Sequence, residues 1–295
     1  MKTRSFFLCA LASFFGYAVT QISAQAASPT IDFIAGFTIP DSTFDTYGLG
    51  INDAGTIIGL SRSNLRSQEQ GFIRLRNGDY SVVMNPNEGI PFTVTTAINN
   101  SGVIAGYYDT GNHTINGFFL SGDTYTDFAV PDTCETYIWA INDAGDFAGQ
   151  VRGGCNGSFK AFVSIGGNLT IFTVAGANDT GAFGMNNLGQ VVGSYETHGF
   201  LRNADGTLIF PIDYPGAVFT TLTGINDKGW MVGYYEDTEG TFHGLFMPSL
   251  TEFVVYDYAQ GNDFSDINNR GYICGDYFDG ENHGFLVRVR RSSGE

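Results

Sequence analysis

The chain has 295 residues, with 14 basic against 30 acidic side chains and a formal net charge of −16. A balance this acidic argues against nucleic acid and anionic membrane surfaces as partners. Forty Gly, 26 Phe and 15 Tyr, with only 15% charged residues, argue against a helical bundle and fit many short strands joined by tight turns.

The chain opens with Lys2 and Arg4, an apolar run over 6–19 and then Ala24-Gln25-Ala26. A basic start, a short apolar stretch and an A-x-A site are the signature of a secretory signal peptide. The expected organisation is a signal peptide over 1–26 and one domain over 27–295, exported to the periplasm or the medium. The mature charge becomes about −18, because the leader holds Lys2 and Arg4 and no acid. No later apolar run approaches the length of a membrane span, so no membrane insertion is expected. A soluble monomer is expected.

Past residue 40 one turn recurs six times. It reads Ile51-Asn52-Asp53-Ala54-Gly55, Ile98-Asn99-Asn100-Ser101-Gly102, Ile141-Asn142-Asp143-Ala144-Gly145, Met185-Asn186-Asn187-Leu188-Gly189, Ile225-Asn226-Asp227-Lys228-Gly229 and Ile267-Asn268-Asn269-Arg270-Gly271. The first Asn of each copy follows its predecessor by 47, 43, 44, 40 and 42 residues. A strand-rich period of this size marks a radial or solenoid repeat protein. No single repeat buries its own apolar face, so the repeats must stack.

One repeat, Thr93 to Asp132, shows the plan. Strand A is Thr93–Ile98, followed by the Asn99-Asn100-Ser101-Gly102 turn. Strand B is Val103–Tyr108, strand C is Gly117–Leu120, and strand D is Thr124–Val130, ending at Pro131. Gly recurs inside strand B as Gly59, Gly106, Gly149, Gly193, Gly233 and Gly275, which points to a close backbone approach. Small residues recur in strand A two positions before the turn Asn: Gly50, Ala97, Ala140, Gly184 and Gly224, with Asp266 as the exception. Thr46, Thr93, Thr136, Thr180 and Thr220 recur earlier in strand A. Phe72, Phe118, Phe162, Phe200 and Phe285, with Leu245-Phe246 in the fifth copy, recur in strand C and are expected to fill the space between repeats.

The sixth copy lacks strand D, while Ile31–Pro40 reads like a strand D running into a Pro. The N-terminal strand is therefore expected to complete the last repeat and remove an open edge. The fold class expected is all-β: a six-bladed β-propeller of four-stranded antiparallel blades, with a flatter ring or open solenoid as the alternative. Cys134 precedes strand A of the third repeat and Cys155 follows its strand B. Those hairpin ends lie side by side, so a Cys134–Cys155 disulfide is expected, with Cys274 a buried free thiol.

The stretch Gly224–Tyr235, the tetrapeptide His283-Gly284-Phe285-Leu286 and Ile212-Asp213-Tyr214-Pro215-Gly216-Ala217 resemble the HAF-repeat extracellular proteins of bacteria. The resemblance covers about residues 30–290. It implies bacterial export and a β-propeller-like fold, and it carries over no catalytic residue.

Chemistry is sparse. His198, His243 and His283 share one repeat position, before strand C. Equivalent positions on neighbouring blades lie about 10 Å apart, too far to share a Zn²⁺ that needs nitrogens at about 2.0–2.1 Å. Their expected role is a hydrogen bond pinning the B–C hairpin. The first Asn of each turn is read as a turn former, with a ring-bound ligand as the alternative. Acidic residues gather in the B–C loops (Asp109, Glu196, Glu236, Asp237, Glu239, Asp276, Asp279, Glu281) beside Tyr108, Tyr195, Tyr235 and Tyr277. Solvated acids with Tyr covering the hairpins is the favoured reading, and sugar or cation binding by exposed Tyr the other. The charge is compatible with Ca²⁺, yet no D-x-D-x-D-G loop is present, so no cofactor is implied.

Strand A also carries the departures from repetition: Asp45 and Tyr47 in the first copy, Glu135, Tyr137 and Trp139 in the third, Asp263 and Asp266 in the sixth. Inner strands line a propeller's channel, so these seven are the candidate ligand-binding residues. No hydrolase, metalloprotease, Walker, Rossmann or sialidase motif occurs. The leading reading is a secreted, non-catalytic binding or surface-interaction protein with carbohydrate or a cell-surface polymer as partner. The alternative is a secreted hydrolase or lyase using inner-strand carboxylates. The first predicts shallow sites repeated around the ring, or none. The second predicts one asymmetric polar pocket at the channel mouth.

Overall fold

The computed structural model describes residues 29–40, 45–63, 68–155 and 157–290. The expected signal peptide lies outside the described residues. Among the described residues every regular element is a strand, and no helix is long and apolar enough to cross a membrane.

After β1 (Thr30–Phe37), the strands come in groups of four: β2 (Asp45–Ile51), β3 (Ile57–Ser63), β4 (Gln68–Arg74) and β5 (Tyr80–Val83); β6 (Thr93–Ile98), β7 (Ile104–Asp109), β8 (Ile115–Ser121) and β9 (Thr124–Phe128). The next groups are β10 (Glu135–Ile141), β11 (Phe147–Arg152), β12 (Phe159–Ile165) and β13 (Asn168–Phe172); β14 (Thr180–Met185), β15 (Val191–Tyr195), β16 (His198–Arg202) and β17 (Leu208–Ile212). The last are β18 (Phe219–Ile225), β19 (Met231–Glu236), β20 (Phe242–Ser249) and β21 (Glu252–Tyr256), then β22 (Asn262–Ile267), β23 (Tyr272–Phe278) and β24 (Asn282–Arg290). Small antiparallel sheets in this succession make a β-propeller. The missing outer strand of the last unit is β1, which runs along β24 with Thr30 opposite Arg290 and Phe37 opposite Gly284.

The sheet count corrects the expectation of six separate four-stranded blades. Among the described residues there are four four-stranded sheets and one eight-stranded sheet, whose antiparallel halves are β6–β9 and β10–β13. A single parallel pair, Glu135 opposite Ile115, joins the halves. The Cys134 segment causes the junction. Ile115 N donates to Cys134 O at 3.2 Å, and Cys134 N donates to Arg152 O at 3.0 Å. Cys134 and Cys155 are disulfide-bonded, with Cα atoms 5.3 Å apart, and Cys274 is free and buried. Closing a loop of this size stabilises by about 3 kcal/mol in the chain-entropy model.

Each recurring residue has a local cause. The first strand of every unit carries a bulge near its end, between Gly48 and Gly50 in β2 and between Phe264 and Asp266 in β22. Just before the bulge a carbonyl of that strand presses on the glycine of the second strand. A Cβ at Gly59, Gly149, Gly193 or Gly233 would lie 1.9 Å from such a carbonyl oxygen. The close approach read from sequence is therefore made by the partner strand within the same sheet. The third strand contributes Phe72, Phe118, Phe162, Phe200, Phe246 and Phe285, all fully buried. Core clusters join side chains of neighbouring sheets, as Leu201 of β16 joins Leu222 and Leu245 of β18 and β20. Each such Phe contributes about 1.5–3 kcal/mol by leaving water.

The recurring Thr of the first strand pins the crossover from the preceding unit. Thr46, Thr93, Thr136, Thr180 and Thr220 accept the backbone N–H groups of Ile39, Asn85, Val130, Val174 and Tyr214 at 3.0–3.2 Å. In the sixth unit the Asn262 side chain takes that place, accepting from Tyr258 N at 2.9 Å.

The glycine argument makes a sharp prediction. Gly233→Ala forces a Cβ into the Thr221 carbonyl and is expected to cost at least about 3 kcal/mol. Gly153→Ala, where nothing lies within 4 Å, is expected to leave the melting temperature within about a degree of wild type. Equal melting temperatures for the two variants would refute the account.

Candidate functional site: the two ends of the axial channel

The first strands surround the axis, and their ends differ. At one end the six turns form a closed hydrogen-bonded ring. The amide Nδ2 of Asn52, Asn99, Asn142, Asn186, Asn226 and Asn268 each donates to the backbone carbonyl of the next Asn, the last to the first, at 2.9–3.4 Å. Each Oδ1 accepts backbone N–H groups of its own turn, as Asn99 does from Ser101 and Val103 at 3.1 and 2.9 Å. The turn-forming reading of these Asn is correct, and their amides also tie unit to unit.

A second ring lies over the first. Asp53, Asn100, Asp143, Asn187, Asp227 and Asn269 alternate in type, and each backbone N–H donates to the next side-chain Oδ1 at 2.8 Å. The amides of the three Asn donate to both flanking carboxylates at 2.9–3.4 Å. Donors and acceptors match because amide and carboxylate alternate. The space inside this end is only about 70 Å³.

Asp266, the sixth unit's candidate alongside Asp263, belongs to this narrow end, where it serves the turn. Its Oδ2 accepts from Ile51 N at 3.0 Å and its Oδ1 from Ile267 N at 2.8 Å. It bridges the last unit to the first. Burial raises its pKa to about 6, against the lowering effect of those two N–H groups.

The other end opens into a cavity of about 300 Å³. Tyr47 and Leu49 of β2, Trp139 of β10, Phe183 of β14, Tyr234 of β19 and Asp263 of β22 supply most of its character, with Asp276 of β23 beside Asp263. A side chamber of about 420 Å³ shares Tyr47, Asp263 and Asp276 and reaches Asn262, Phe242 and Asn282. Asp263 and Asp276 are directly opposed in the β22–β23 ladder, which sets their Cβ atoms about 4.5–5.5 Å apart. Protein surrounds both, and burial drives both pKa values well up; on Asp276 the charge of Asp263, then of Asp45, adds to the effect. Two carboxyls so placed hold on to a proton above the ordinary carboxylate range. Asp263 Oδ1 is buried without a hydrogen-bond partner, and so is the Trp139 indole N–H. Such orphaned groups are uncommon in folded proteins and call for an explanation.

The remaining candidates divide. Tyr47 lines the cavity, and its hydroxyl accepts from Asn282 Nδ2 at 2.9 Å. Burial, then the Asp45 charge, pushes its pKa up to about 12. Tyr234 is pushed to about 12 by burial and then by Asp263. Asp45 sits behind the wall and accepts from Asn282 N and Nδ2 at 3.1 and 2.8 Å. Glu135 and Tyr137 do not line the cavity, contrary to expectation. Glu135 is held by Arg152 at 3.1 Å and by the Tyr137 hydroxyl at 3.1 Å. Tyr137 backs Trp139 with ring centroids 6.2 Å apart.

Two loop features resolve as structural. His243 bridges Asp237 of its own hairpin and Asp257 after β21 at 3.1 and 2.6 Å, and His198 meets Asp213 at 2.9 Å. His283 bridges Asp279 and Thr38 at 3.1 and 2.8 Å. Tyr108 and Tyr235 are buried, so they are packing groups and not exposed sugar platforms. Asp276 was read from sequence only as a loop acid, and Tyr234 and Phe183 were not singled out. The available signal was register: Asp276 and Tyr234 each follow the recurring second-strand glycine by one position, which turns them towards the axis. Among the described residues no group of three or more His, Cys, Asp or Glu is arranged to hold a metal ion.

Comparison with solved structures shows the fold. A mutant of the Aleuria aurantia lectin in complex with Fucα1-6GlcNAc matches with a TM-score of 0.50 at 9% identity, over 86% of this chain and 100% of that one. A Hadza microbial sialidase matches with a TM-score of 0.50 at 11% identity, over 84% of this chain and 65% of that one. No protein-family model matches the sequence, and no curated protein does.

The carboxyl pair has a linkage signature. Its pKa values are raised on folding, so the folded state binds protons more tightly than the unfolded chain. Its contribution is then fully favourable below the ordinary value near 3.8 and is lost as pH rises through the folded values. Asp276→Asn removes that penalty. Its stability relative to wild type is expected to rise by on the order of 2 kcal/mol between pH 4 and pH 8. Thermal melts across that range measure it; a difference independent of pH would show that the pair ionises normally.

Proposed function

We propose that this chain is an exported carbohydrate-binding β-propeller whose single site is the axial cavity. The observation that carries the reading is one asymmetric, aromatic-walled cavity lined by Asp263 and Trp139, each of which also holds a buried polar atom without a hydrogen-bond partner. Aromatic faces for the C–H surface of a pyranose, with a few polar groups for its hydroxyls, are the make-up of a small-ligand site. A volume of about 300 Å³ is at the lower end of such sites and suits one sugar residue. This geometry differs from the repeated shallow sites, or none, expected of a non-catalytic protein, and is of the single asymmetric kind expected of a hydrolase or lyase.

The reading includes three finer elements. The eight-stranded sheet counts as two blades joined by one residue pair, giving six. The Asp/Asn alternation of the second ring supports that count, since it closes without a mismatch only in an even number. The chain is a HAF-repeat protein, in which His198 and His243 pin the hairpin to the Asp after strand D and His283 to Thr38 in the same place. The leader over 1–26 directs export, and a disulfide accords with an oxidising compartment.

Hydrolysis of a glycosidic bond is the second reading, and the opposed Asp263–Asp276 pair favours it. A pair of carboxyls of which one holds its proton is the make-up of a glycosidase, the retaining kind setting its two carboxyls about 5–5.5 Å apart.

Mature protein screened on a glycan array and then by calorimetry is expected to bind a terminal sugar. Trp139→Ala is expected to weaken binding at least tenfold. Binding unaffected by Trp139→Ala and Asp263→Asn would move the site off the axis. Turnover of an aryl glycoside, lost in both Asp263→Asn and Asp276→Asn, would establish the second reading in place of the first.

A further inference from the structure

The charge inside the cavity narrows the ligand class further, given the carbohydrate-binding reading. Among the described residues, neither the cavity nor its side chamber has a Lys, Arg or His in its lining. The basic groups nearest the wall are already engaged. Arg62 is paired with Glu69 at 2.8 Å and lies 4.0 Å from Asp45, and Arg152 is paired with Glu135 at 3.1 Å. Asp263 and Asp276 therefore face the cavity with no counter-cation from its lining. The groups that face or back them are Tyr47 and Asp45 of β2, Trp139 of β10 and Tyr234 of β19, and none of these supplies positive charge near neutrality.

The walls suit a cation. Trp139, Phe183, Tyr47 and Tyr234 present rings from four separate strands around one small space. Ring faces carry partial negative charge and attract ammonium groups, most strongly where water is excluded. A carboxyl pair backed by such a cage matches a protonated amine better than a neutral hydroxyl. An isolated divalent ion would find two carboxylates among four aromatic rings and the Thr96 and Thr223 hydroxyls already bonded to backbone carbonyls, whereas Ca²⁺ takes six to eight oxygen ligands.

We propose that the axial cavity recognises an amine-bearing sugar, its ammonium seated between the carboxyls of Asp263 and Asp276 and its ring against Trp139. On binding, the ammonium keeps its own proton. The proton that the carboxyl pair holds leaves to solvent, and both carboxylates become ionised against the ligand's charge. Affinity therefore rises with pH from about 5 towards neutrality, as proton competition for the pair falls.

The test titrates the mature protein at pH 7 with glucosamine, N-acetylglucosamine and glucose by calorimetry, in two buffers of different ionisation enthalpy. Glucosamine is expected to bind at least tenfold more tightly than either neutral sugar, with release of up to one proton. Asp276→Asn is expected to abolish the release and bring the preference close to one. The wild-type comparison stands alone if that variant folds poorly. Equal or tighter binding of a neutral sugar overturns the amine assignment and leaves the carbohydrate reading intact. No binding of any of the three overturns both. Displacement of glucosamine by millimolar Ca²⁺ at constant ionic strength, with Ca²⁺ alone raising the melting temperature, overturns the assignment in favour of a metal site.

Discussion

The closed ring of Asn amides is the interaction on which the rest depends. Each Asn satisfies its own turn with Oδ1 and reaches the next unit's carbonyl with Nδ2, so one side chain both ends a strand and fixes the neighbour's position. Main-chain hydrogen bonds cannot hold separate sheets around an axis, and apolar packing alone does not fix their angle. An Asn side chain carries donor and acceptor on a short stem, so its reach sets the spacing of the inner strands. A Gln, one methylene longer, would leave that spacing loose. The alternating Asp/Asn ring above it adds directionality, since an amide donates twice and a carboxylate accepts twice.

That constraint draws the strands together at one end and lets them diverge at the other. Where they converge, only small side chains fit two positions before the turn. A Cβ on Gly184 would already lie 2.7 Å from the Gly224 Cα. Asp266 is admitted there because its carboxylate is consumed by Ile51 N and Ile267 N. Where the strands diverge, the space is large enough for Trp139, Tyr47 and Tyr234, and for a cavity between them. Structural closure and the candidate site are thus opposite ends of one geometric device.

The repeat made the architecture legible in the sequence, because Asn, Gly, Thr and Phe recur for reasons of backbone geometry that every unit shares. The missing final strand told where β1 would go. The disulfide was legible because both Cys flank one hairpin. The site was only half legible. Departures from the repeat picked out Tyr47, Trp139 and Asp263, which line the wide cavity. They also picked out Glu135, which pairs with Arg152 away from the cavity, and Asp266, which lies next to the turn at the narrow end. Asp276 looked like a loop acid because it sits near the end of its strand; only its pairing with Asp263 across the ladder gives it meaning. The merging of two units into one sheet was not legible, since it rests on a single residue pair beside Cys134.

The central claim is that function resides in the axial cavity and not on the outer surface. A crystal structure of the mature protein soaked with a bound sugar tests it most directly. The account predicts ligand density against the Trp139 ring with a polar atom within hydrogen-bond distance of the Asp263 carboxyl. Density confined to the outer strands or the hairpin loops, with the cavity holding only solvent, would contradict it.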